Sequence, residues 1–300
     1  MTRPTSTKIT AAMTAAEMPR SHGIAFLLRA GALEASKASI TGMSTGIMRA
    51  NPTQASNLLF RGLSDSTWKL STTLERRSGG RNFSFKDYYR LVRRIRPEIE
   101  TESGLRWDVP SFEEISSWAG IYDQTHYEMM AYEYLAHLRH NGFPSPLLDW
   151  SRSPYVAAYF AFSGAASTDA AAIYVYLERP EGMKVSGSGA PGIRMLGQYV
   201  RTHKRHFRQQ SAYTVCANYQ QSDFDNSYMW HFVSHQTVFD MQQPTAQHLL
   251  WKIVVPSSER SKVLMLLDEF NLNAYSLFGS EESLMETLAY REIDAKPPPT

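Results

Sequence analysis

The stretch NGFPSPLLDWSRSPYVAAYFAFSG, from Asn141 to Gly164, joins two apolar segments through a short polar gap. Ser153 followed by Pro154 is typical of a helix N-cap and first turn. Asp149 and Ser151 therefore lie just before a helix N-terminus, where free backbone N–H groups bind a phosphate or orient a catalytic hydroxyl. The same two side chains also suit a turn that satisfies those N–H groups, so both interpretations stay open.

The composition indicates a globular protein built around one large domain. The 300 residues are 43% apolar and 20% charged, with a net charge of +2. No run approaches the roughly 18 to 20 apolar residues of a membrane-spanning helix, and we expect a cytoplasmic protein without membrane contact. The single cysteine, Cys216, excludes an internal disulfide framework and suits a reducing compartment.

The order of segments predicts an α+β fold with a mainly antiparallel sheet flanked by helices. We expect residues 1–50 to be an N-terminal extension, helical or partly disordered, residues 51–293 to form the folded domain, and residues 294–300 to be a disordered tail. Runs rich in β-branched and aromatic residues predict strands. These runs are Asn57–Leu63, Ala171–Leu177, Ala212–Val215, Trp251–Pro256 and Ala274–Phe278.

Apolar residues at helical spacing predict the helices. Ser111 and Glu114 form a capping-box pattern, and the apolar positions beyond them predict one helix that continues to Leu138. Further helices are expected around Tyr88–Ile95, over Lys262–Phe270 and over Glu281–Arg291.

Two basic clusters, in residues 76–106 and 194–208, are interleaved with aromatic residues. This mixture neutralises phosphates and stacks on bases, and it favours RNA or single-stranded DNA as a partner. Tyr88, Tyr89 and Phe207 are the rings expected to stack. The predicted nucleic-acid-binding residues are Arg90, Arg93, Arg94, Arg201 and Arg205. The alternative is a solvated helix face without a partner.

Metal binding has one weak candidate. His231 and His235 are four residues apart, which on a helix directs both rings at one ion. No Glu follows His231 as in zinc peptidases, and further ligands would have to come from distant residues, so we expect no metal. The phosphate-loop pattern G-x-x-x-x-G-K-[ST] is missing from the sequence.

Six separated blocks resemble, in order, the FRG domain family over about residues 57–290. The blocks are FRGL (Phe60–Leu63), HNGFPSPLLDWSRSPYVAAYFA (His140–Ala161), AAIYVY (Ala171–Tyr176), RQQSAYTV (Arg208–Val215), WKIVVP (Trp251–Pro256) and SLFGSEESL (Ser276–Leu284). The family's usual central block reads His-Tyr-Gly, Pro-Thr-Arg and Leu-Leu-Asp-Trp-Thr. Asn141, Ser145, Pro146 and Ser151 depart from it, and Pro146 stands where the family has an arginine.

The block order is also similar to that of the ADP-ribosyltransferase fold, which implies NAD as co-substrate. On that similarity Arg61 grips the NAD phosphates or nicotinamide ribose, Ser151 seats that ribose, and Gln210 lies in the stretch that usually holds the catalytic Glu motif. Because this stretch has no carboxylate, Asp149 or Glu282 is expected to supply it. The resemblance further implies Gly62, His140 and Tyr159 as NAD-binding residues.

Two functions of different classes follow from the resemblance. The first is an NAD-dependent ADP-ribosyltransferase, acting as a bacterial toxin or phage-defence effector that modifies nucleic acid, with an antitoxin or other inhibitory partner. The second is a non-catalytic nucleic-acid- or protein-binding module on the same scaffold. In that alternative Arg61 and Asp149 form a structural ion pair, because an acidic partner is the usual explanation of a buried arginine.

Overall fold

A computed structural model describes most of the chain from residue 58 onwards and a short N-terminal strand. The described ranges are residues 12–14, 58–122, 129–164, 168–178, 191–197, 200–221, 227–240 and 248–295. In this part of the chain no helix combines the length and the apolar character needed to span a bilayer.

Nine strands in the described ranges form one sheet. They are β1 (Ala12–Thr14), β2 (Leu58–Leu63), β3 (Phe83–Ser84), β4 (Leu148–Ser151), β5 (Ala170–Glu178), β6 (Gly192–Leu196), β7 (Ser211–Gln221), β8 (Tyr228–Phe232) and β9 (His248–Pro256). The order across the sheet is β1-β9-β5-β2-β4-β7-β8-β3, and β6 pairs with β7 beside this path. The short β1 runs parallel to β9, whereas the other pairings among these strands are antiparallel. The predicted α+β class is therefore confirmed.

Ten α-helices of the described chain surround the sheet. They are α1 (Thr73–Ser78), α2 (Phe85–Ser103), α3 (Phe112–Gly120), α4 (Tyr132–His140), α5 (Pro154–Phe162), α6 (Lys204–Arg208), α7 (His235–Asp240), α8 (Arg260–Glu269), α9 (Ala274–Phe278) and α10 (Glu281–Ala289). A 3-10 turn (Ser257–Glu259) precedes α8, and a π-helical turn (Tyr290–Asp294) follows α10. Side-chain caps set several helix starts, as at Ser153, whose hydroxyl accepts the Val156 N–H of α5.

The two faces of the sheet pack against different helices, and strand alternation decides which side chain lies on which face. Phe60 pairs with Ser151, and Asp149 pairs with Tyr213, so these side chains share the face covered by α4 and α5. Leu59, Leu63 and Trp150 point to the opposite face, where Val238 and Phe239 of α7 pack. We call these the α5 face and the α7 face.

Two predicted elements are wrong. Ala274–Phe278 was expected to be a strand but forms α9, because the Asn273 side chain caps its N-terminus and Gly279 ends it in the left-handed conformation. The single helix expected from Ser111 to Leu138 is two helices, α3 and α4, since α3 ends at Gly120 and Ile121 is extended. Apolar residues keep helical spacing on both sides of Ile121, so the sequence pattern did not reveal the break.

Only short pieces of the two ends of the chain belong to the described residues. Within residues 1–50, expected to be helical or partly disordered, Ala12–Thr14 form β1 against β9, and the rest lies outside the described residues. In the predicted tail, Asp294 belongs to the π-helical turn, and residues 296–300 lie outside the described residues.

Candidate functional site

A polar cluster surrounds Asp149 on the α5 face. The carboxylate of Asp149 forms an ion pair through Oδ2 with Nη2 of Arg139, from the last turn of α4. The Asp149 side chain keeps 35% of its surface exposed, compared with 18% for Arg139. This carboxylate is therefore held in place by a cation and still reachable from solvent.

Two histidines and a tyrosine border this ion pair. The hydroxyl of Tyr213 lies 2.6 Å from His140 Nε2 and 3.5 Å from His206 Nδ1. Burial lowers the pKa of His140 to about 4, although the charge of Asp149 acts in the opposite direction. His140 is consequently neutral near pH 7, and burial also raises the pKa of Tyr213 well above its usual range.

Two hydrogen-bond donors beside Asp149 have no partner in the described structure. They are the buried hydroxyl of Tyr132 and the buried Nε–H of Arg139. Burial raises the pKa of Tyr132, and the nearby Asp149 charge adds to this effect. Leaving a buried polar group without a hydrogen bond costs free energy, typically about 1–3 kcal/mol. Donors left open next to an accessible carboxylate suit a ligand that carries hydroxyl groups.

Ser151 and Gln210 form hydrogen bonds at the point where β4 ends and β7 begins. The buried Ser151 hydroxyl donates to the Gln209 carbonyl at 2.7 Å and accepts the Ser153 N–H at 3.0 Å. Gln210 has a left-handed backbone (φ 47°), and its carbonyl accepts the Arg152 N–H at 3.0 Å. The Gln210 side chain is exposed. Both residues lie near Asp149 in the sheet, and the Ser151 hydroxyl already has its partners.

Tyr159 and Glu282 occupy the same side of the sheet but lie in the helices. Tyr159 of α5 is buried, with its hydroxyl 3.5 Å from Glu286 Oε1 of α10. Burial and the charge of Glu286 raise the pKa of Tyr159. Glu282 is exposed in the first turn of α10, where hydrogen bonding to Ser280 lowers its pKa and the charge of Arg205 acts in the same direction.

Gly62 has a packing explanation. A Cβ at this position would lie 1.9 Å from the carbonyl oxygen of Ala157 in α5. Only glycine therefore allows β2 and α5 to approach this closely. An NAD-binding role for Gly62 stays a prediction, whereas its steric role is evident from the backbone contact.

Arg61 points to the α7 face, away from the Asp149 carboxylate. Its Nη1 donates a hydrogen bond to the backbone carbonyl of Asp149 on the neighbouring strand, at 2.6 Å. The carboxylate itself pairs with Arg139 on the other face, so the proposed Arg61–Asp149 ion pair is wrong. Burial lowers the pKa of Arg61 to about 10, the Asp149 charge opposes this, and the charges of Arg139 and Arg76 add to it.

Two of the three predicted nucleic-acid-binding arginines of α2 already contact other groups of the protein. Arg90 lies 4.8 Å from the centroid of the Phe112 ring and 3.4 Å from the Asp87 carboxylate. Arg93 donates to the Pro110 carbonyl. Arg94 is exposed, and within the described ranges its side chain makes no hydrogen bond or ion pair.

The rings expected to stack on bases differ in exposure. Tyr88 and Tyr89 are fully buried, with hydroxyls bonded to the Pro144 and Met130 carbonyls, so they are not available for stacking. Phe207 of α6 is 64% exposed.

The cationic residues near Phe207 have mixed surroundings. Arg201 is exposed, and its backbone N–H donates to the Glu133 carboxylate at 3.1 Å. The Arg205 guanidinium lies 5.4 Å from the centroid of the Phe278 ring. The α6 surface therefore offers an exposed ring beside cations.

The metal alternative has no structural support in the described residues. His231 lies in β8 and His235 begins α7, so the two rings are not on one helix face. No group of three or more potential ligands is found in this part of the chain. A cavity of about 240 Å³ lies between α1 and the end of β8, and none of the predicted site residues lines it.

The partners of Asp149 could not be predicted from the sequence. Arg139 and Tyr132 join the cluster because α4 packs on β7, and His206 joins it because α6 packs on β7 through Tyr213. Tyr213 is far from His140 along the chain. Arg139 is next to His140 in the last turn of a helix, which was the one local sign available.

Comparisons with known proteins give one match. The FRG domain profile matches residues 56–170, which include β2, β4 and α5 and hence Arg61, Asp149 and Ser151. No curated protein and no solved structure matches the chain.

Proposed function

The chain contains an FRG domain, and we propose that this domain belongs to an NAD-dependent ADP-ribosyltransferase whose reacting carboxylate is Asp149. The observation that carries the proposal is the Asp149 cluster. A partly exposed carboxylate is fixed by Arg139 and bordered by the unpartnered donors Tyr132 O–H and Arg139 Nε–H. Such a set suits a ribose, whose hydroxyls donate to a carboxylate and accept from O–H and N–H groups.

The reaction requires charge stabilisation at one carbon. The bond between C1′ of the ribose and nicotinamide breaks, and its electron pair leaves on the nicotinamide nitrogen. The oxocarbenium character that develops at C1′ is stabilised by the Asp149 carboxylate. An acceptor hydroxyl or amine then attacks C1′, and its proton passes to Asp149.

The neighbouring residues have supporting roles in this proposal. His140 is neutral, so one of its ring nitrogens donates a hydrogen bond and the other accepts one. Ser151 holds β4 against the Gln209 carbonyl rather than touching the ribose. Glu282 and Arg205 lie on the α5 face and extend the surface around Asp149 towards α6. Arg61 holds the backbone of Asp149 in place from the α7 face, through the hydrogen bond to its carbonyl.

We propose nucleic acid as the acceptor, in the cytoplasm, with RNA or single-stranded DNA favoured. Phe207 on α6 is an exposed ring beside Arg205, and α6 packs on the Asp149 cluster through His206 and Tyr213. A base stacked on Phe207 would thus lie next to the proposed site. The proposal includes a role as a toxin or phage-defence effector with an inhibitory partner.

The test uses NAD labelled in the adenylate part, with RNA, single-stranded DNA and cell lysate as acceptors. Nicotinamide release and transfer of label are measured for the full chain. Asp149→Asn should lower both rates by about 10²–10⁴-fold, the range of a single acid–base group. Asp169→Asn is the control, because Asp169 is exposed and its side chain makes no hydrogen bond or ion pair with the described residues. Equal rates for wild type and Asp149→Asn would contradict the assignment of the carboxylate.

The second candidate is a non-catalytic nucleic-acid-binding module, which the exposed Phe207 favours independently of NAD. Replacing Lys204 and Arg208 together by Gln should reduce the slope of log K against log salt by about two, since each phosphate that is no longer neutralised lowers it by about one unit. Replacing Arg90 and Arg94 should change the slope less, because Arg90 is held by Phe112 and Asp87. Steep binding without nicotinamide release would support this module over the enzyme.

A further inference from the structure

The cavity between α1 and the end of β8 has a mixed wall. It encloses about 240 Å³, and part of its lining is apolar, from Phe83, Phe232 and Pro146. The charged residues of the lining are Glu75 and Arg81. Sites for drug-sized ligands usually enclose about 300–1,000 Å³, so this cavity suits a smaller molecule.

Glu75 has one carboxylate oxygen without a partner. Its Oε2 accepts the Thr72 N–H at 2.5 Å, and its own N–H donates to the Thr72 hydroxyl, which completes the capping box of α1. Its Oε1 is buried and accepts no hydrogen bond from the described residues. An acceptor of this kind costs folding free energy, and in native proteins it usually serves a ligand, an ion or a water.

The arginines around Glu75 are held by other groups. The guanidinium of Arg81 lies 5.1 Å from the centroid of the Phe83 ring. Arg76 donates from Nη1 to the Ser71 carbonyl at 2.7 Å. Among the described residues, no cation forms an ion pair with the Glu75 carboxylate. Its charge is therefore available to a cation from outside the described chain.

Position 146 relates this carboxylate to the space beside it. Pro146 is buried and lines the cavity, and it stands where the central block of the FRG domain pattern has an arginine. An arginine side chain at this position would extend into the cavity and bring a guanidinium towards Glu75. Proline leaves both the space and the carboxylate to a separate molecule.

We propose that this cavity binds a small molecule with a guanidinium group, which donates to Glu75 Oε1. The N–H fork of a guanidinium matches a carboxylate, and the rings of Phe83 and Phe232 suit the aliphatic stem that carries it. The site goes beyond the proposed transferase function, because the residues that line the cavity are not those of the Asp149 cluster.

The experiment is a calorimetric titration of the full chain with L-arginine, compared with L-citrulline, which has nearly the same shape without the charge. Wild type should bind one equivalent of L-arginine and should bind L-citrulline at least about tenfold more weakly, because the charged hydrogen bonds are lost. Glu75→Gln should weaken L-arginine binding by a similar factor. This variant keeps the fold, since glutamine also completes a capping box.

Glu114→Gln is the matched control. Glu114 completes the capping box of α3 with Ser111 and does not line the cavity, so this variant should bind L-arginine as wild type does. No binding by folded wild type, equal binding of the two ligands, or equal L-arginine binding by wild type and Glu75→Gln would overturn the proposal.

A second variant fills the cavity from within the chain. Pro146→Arg should abolish L-arginine binding, because the new guanidinium occupies the place of the ligand. It should also couple to Glu75: Glu75→Gln should lower the melting temperature more in the Pro146→Arg background than in wild type. Retained L-arginine binding or the absence of this coupling would contradict the site. Both readouts are independent of nicotinamide release, so they leave the transferase proposal to its own test.

Discussion

The two faces of the sheet at β2 and β4 hold their charged groups in opposite ways. On the α5 face, Asp149 has its cation, Arg139, and remains open to solvent. On the α7 face, Arg61 is half-buried and hydrogen-bonds only a carbonyl among the described residues. Adjacent strands therefore present a satisfied acid on one side and an unsatisfied base on the other. Proximity of Arg61 and Asp149 in the sheet therefore does not make them one site.

The largest expected effect concerns the close backbone contact between β2 and α5. Gly62→Ala should destabilise the protein by about 3 kcal/mol or more, since its Cβ would clash with the backbone of α5 and overpacking costs about 1–3 kcal/mol, at times more. Urea unfolding measures the change. Gly192→Ala is the control, because no heavy atom lies within 4 Å of its added Cβ. A loss below about 1 kcal/mol for Gly62→Ala would show that β2 and α5 can separate.

The sequence predicted two of the three strands that carry the site, but neither β4 nor the faces. LLFRGL and the run after Gln210 were expected to be strands, whereas LDWS was expected to be a short gap before a helix, and all three form neighbouring strands. Face assignment depends on pairing register, since a shift of one residue moves a side chain to the other face. The pairing of Phe60 with Ser151 puts Arg61 opposite to Asp149, and no local pattern encodes it.

The sequence also predicted some helices better than others. Ser153-Pro154 marked the start of α5 correctly because caps are local signals. The five-residue α9 was missed because its short apolar run has strand composition, and its Asn273 cap and Gly279 end lie outside that run. Arg139 and Tyr132 became site residues only through packing of α4 on β7, which is a tertiary effect.

The next effect concerns pH, since each face contains a histidine whose pKa is lowered by burial. The pKa of His140 is lowered to about 4 and that of His235 to about 3, against about 6.5 in the unfolded chain. Below pH 6.5 both histidines are therefore protonated in the unfolded state while they remain neutral in the folded state. The contribution of these two histidines to stability should be constant above about pH 7.5 and fall as the pH drops towards 4, with a slope that approaches about 2.7 kcal/mol per pH unit for two protons.

Urea midpoints between about pH 5 and 6 measure this slope, and single variants separate the two faces. His140→Asn and His235→Asn should each reduce the slope by about one proton, or about 1.4 kcal/mol per pH unit. A variant that leaves the slope unchanged would mean that its histidine is protonated in the folded protein, and the corresponding face would be better hydrated than its burial indicates.

The smallest effect separates function from stability on the α5 face. Tyr132→Phe removes a buried hydroxyl that has no partner among the described residues, whereas Tyr88→Phe removes a buried hydroxyl bonded to the Pro144 carbonyl at 2.9 Å. Loss of a bonded hydroxyl should cost about 1 kcal/mol, and loss of an unbonded one should leave stability unchanged or raise it. If Tyr132 serves a ligand, its variant should also lower nicotinamide release while Tyr88→Phe does not.

This last pair of variants decides whether the open donors exist for binding. A group that costs folding free energy and is kept without a partner is typical of a functional site, where stability is given up for activity. Stabilisation of Tyr132→Phe with a lower rate is the expected pattern. Destabilisation of Tyr132→Phe by as much as Tyr88→Phe would instead mean that the hydroxyl has a structural partner, such as a bound water, and the Asp149 cluster would lose its main argument for a ribose ligand.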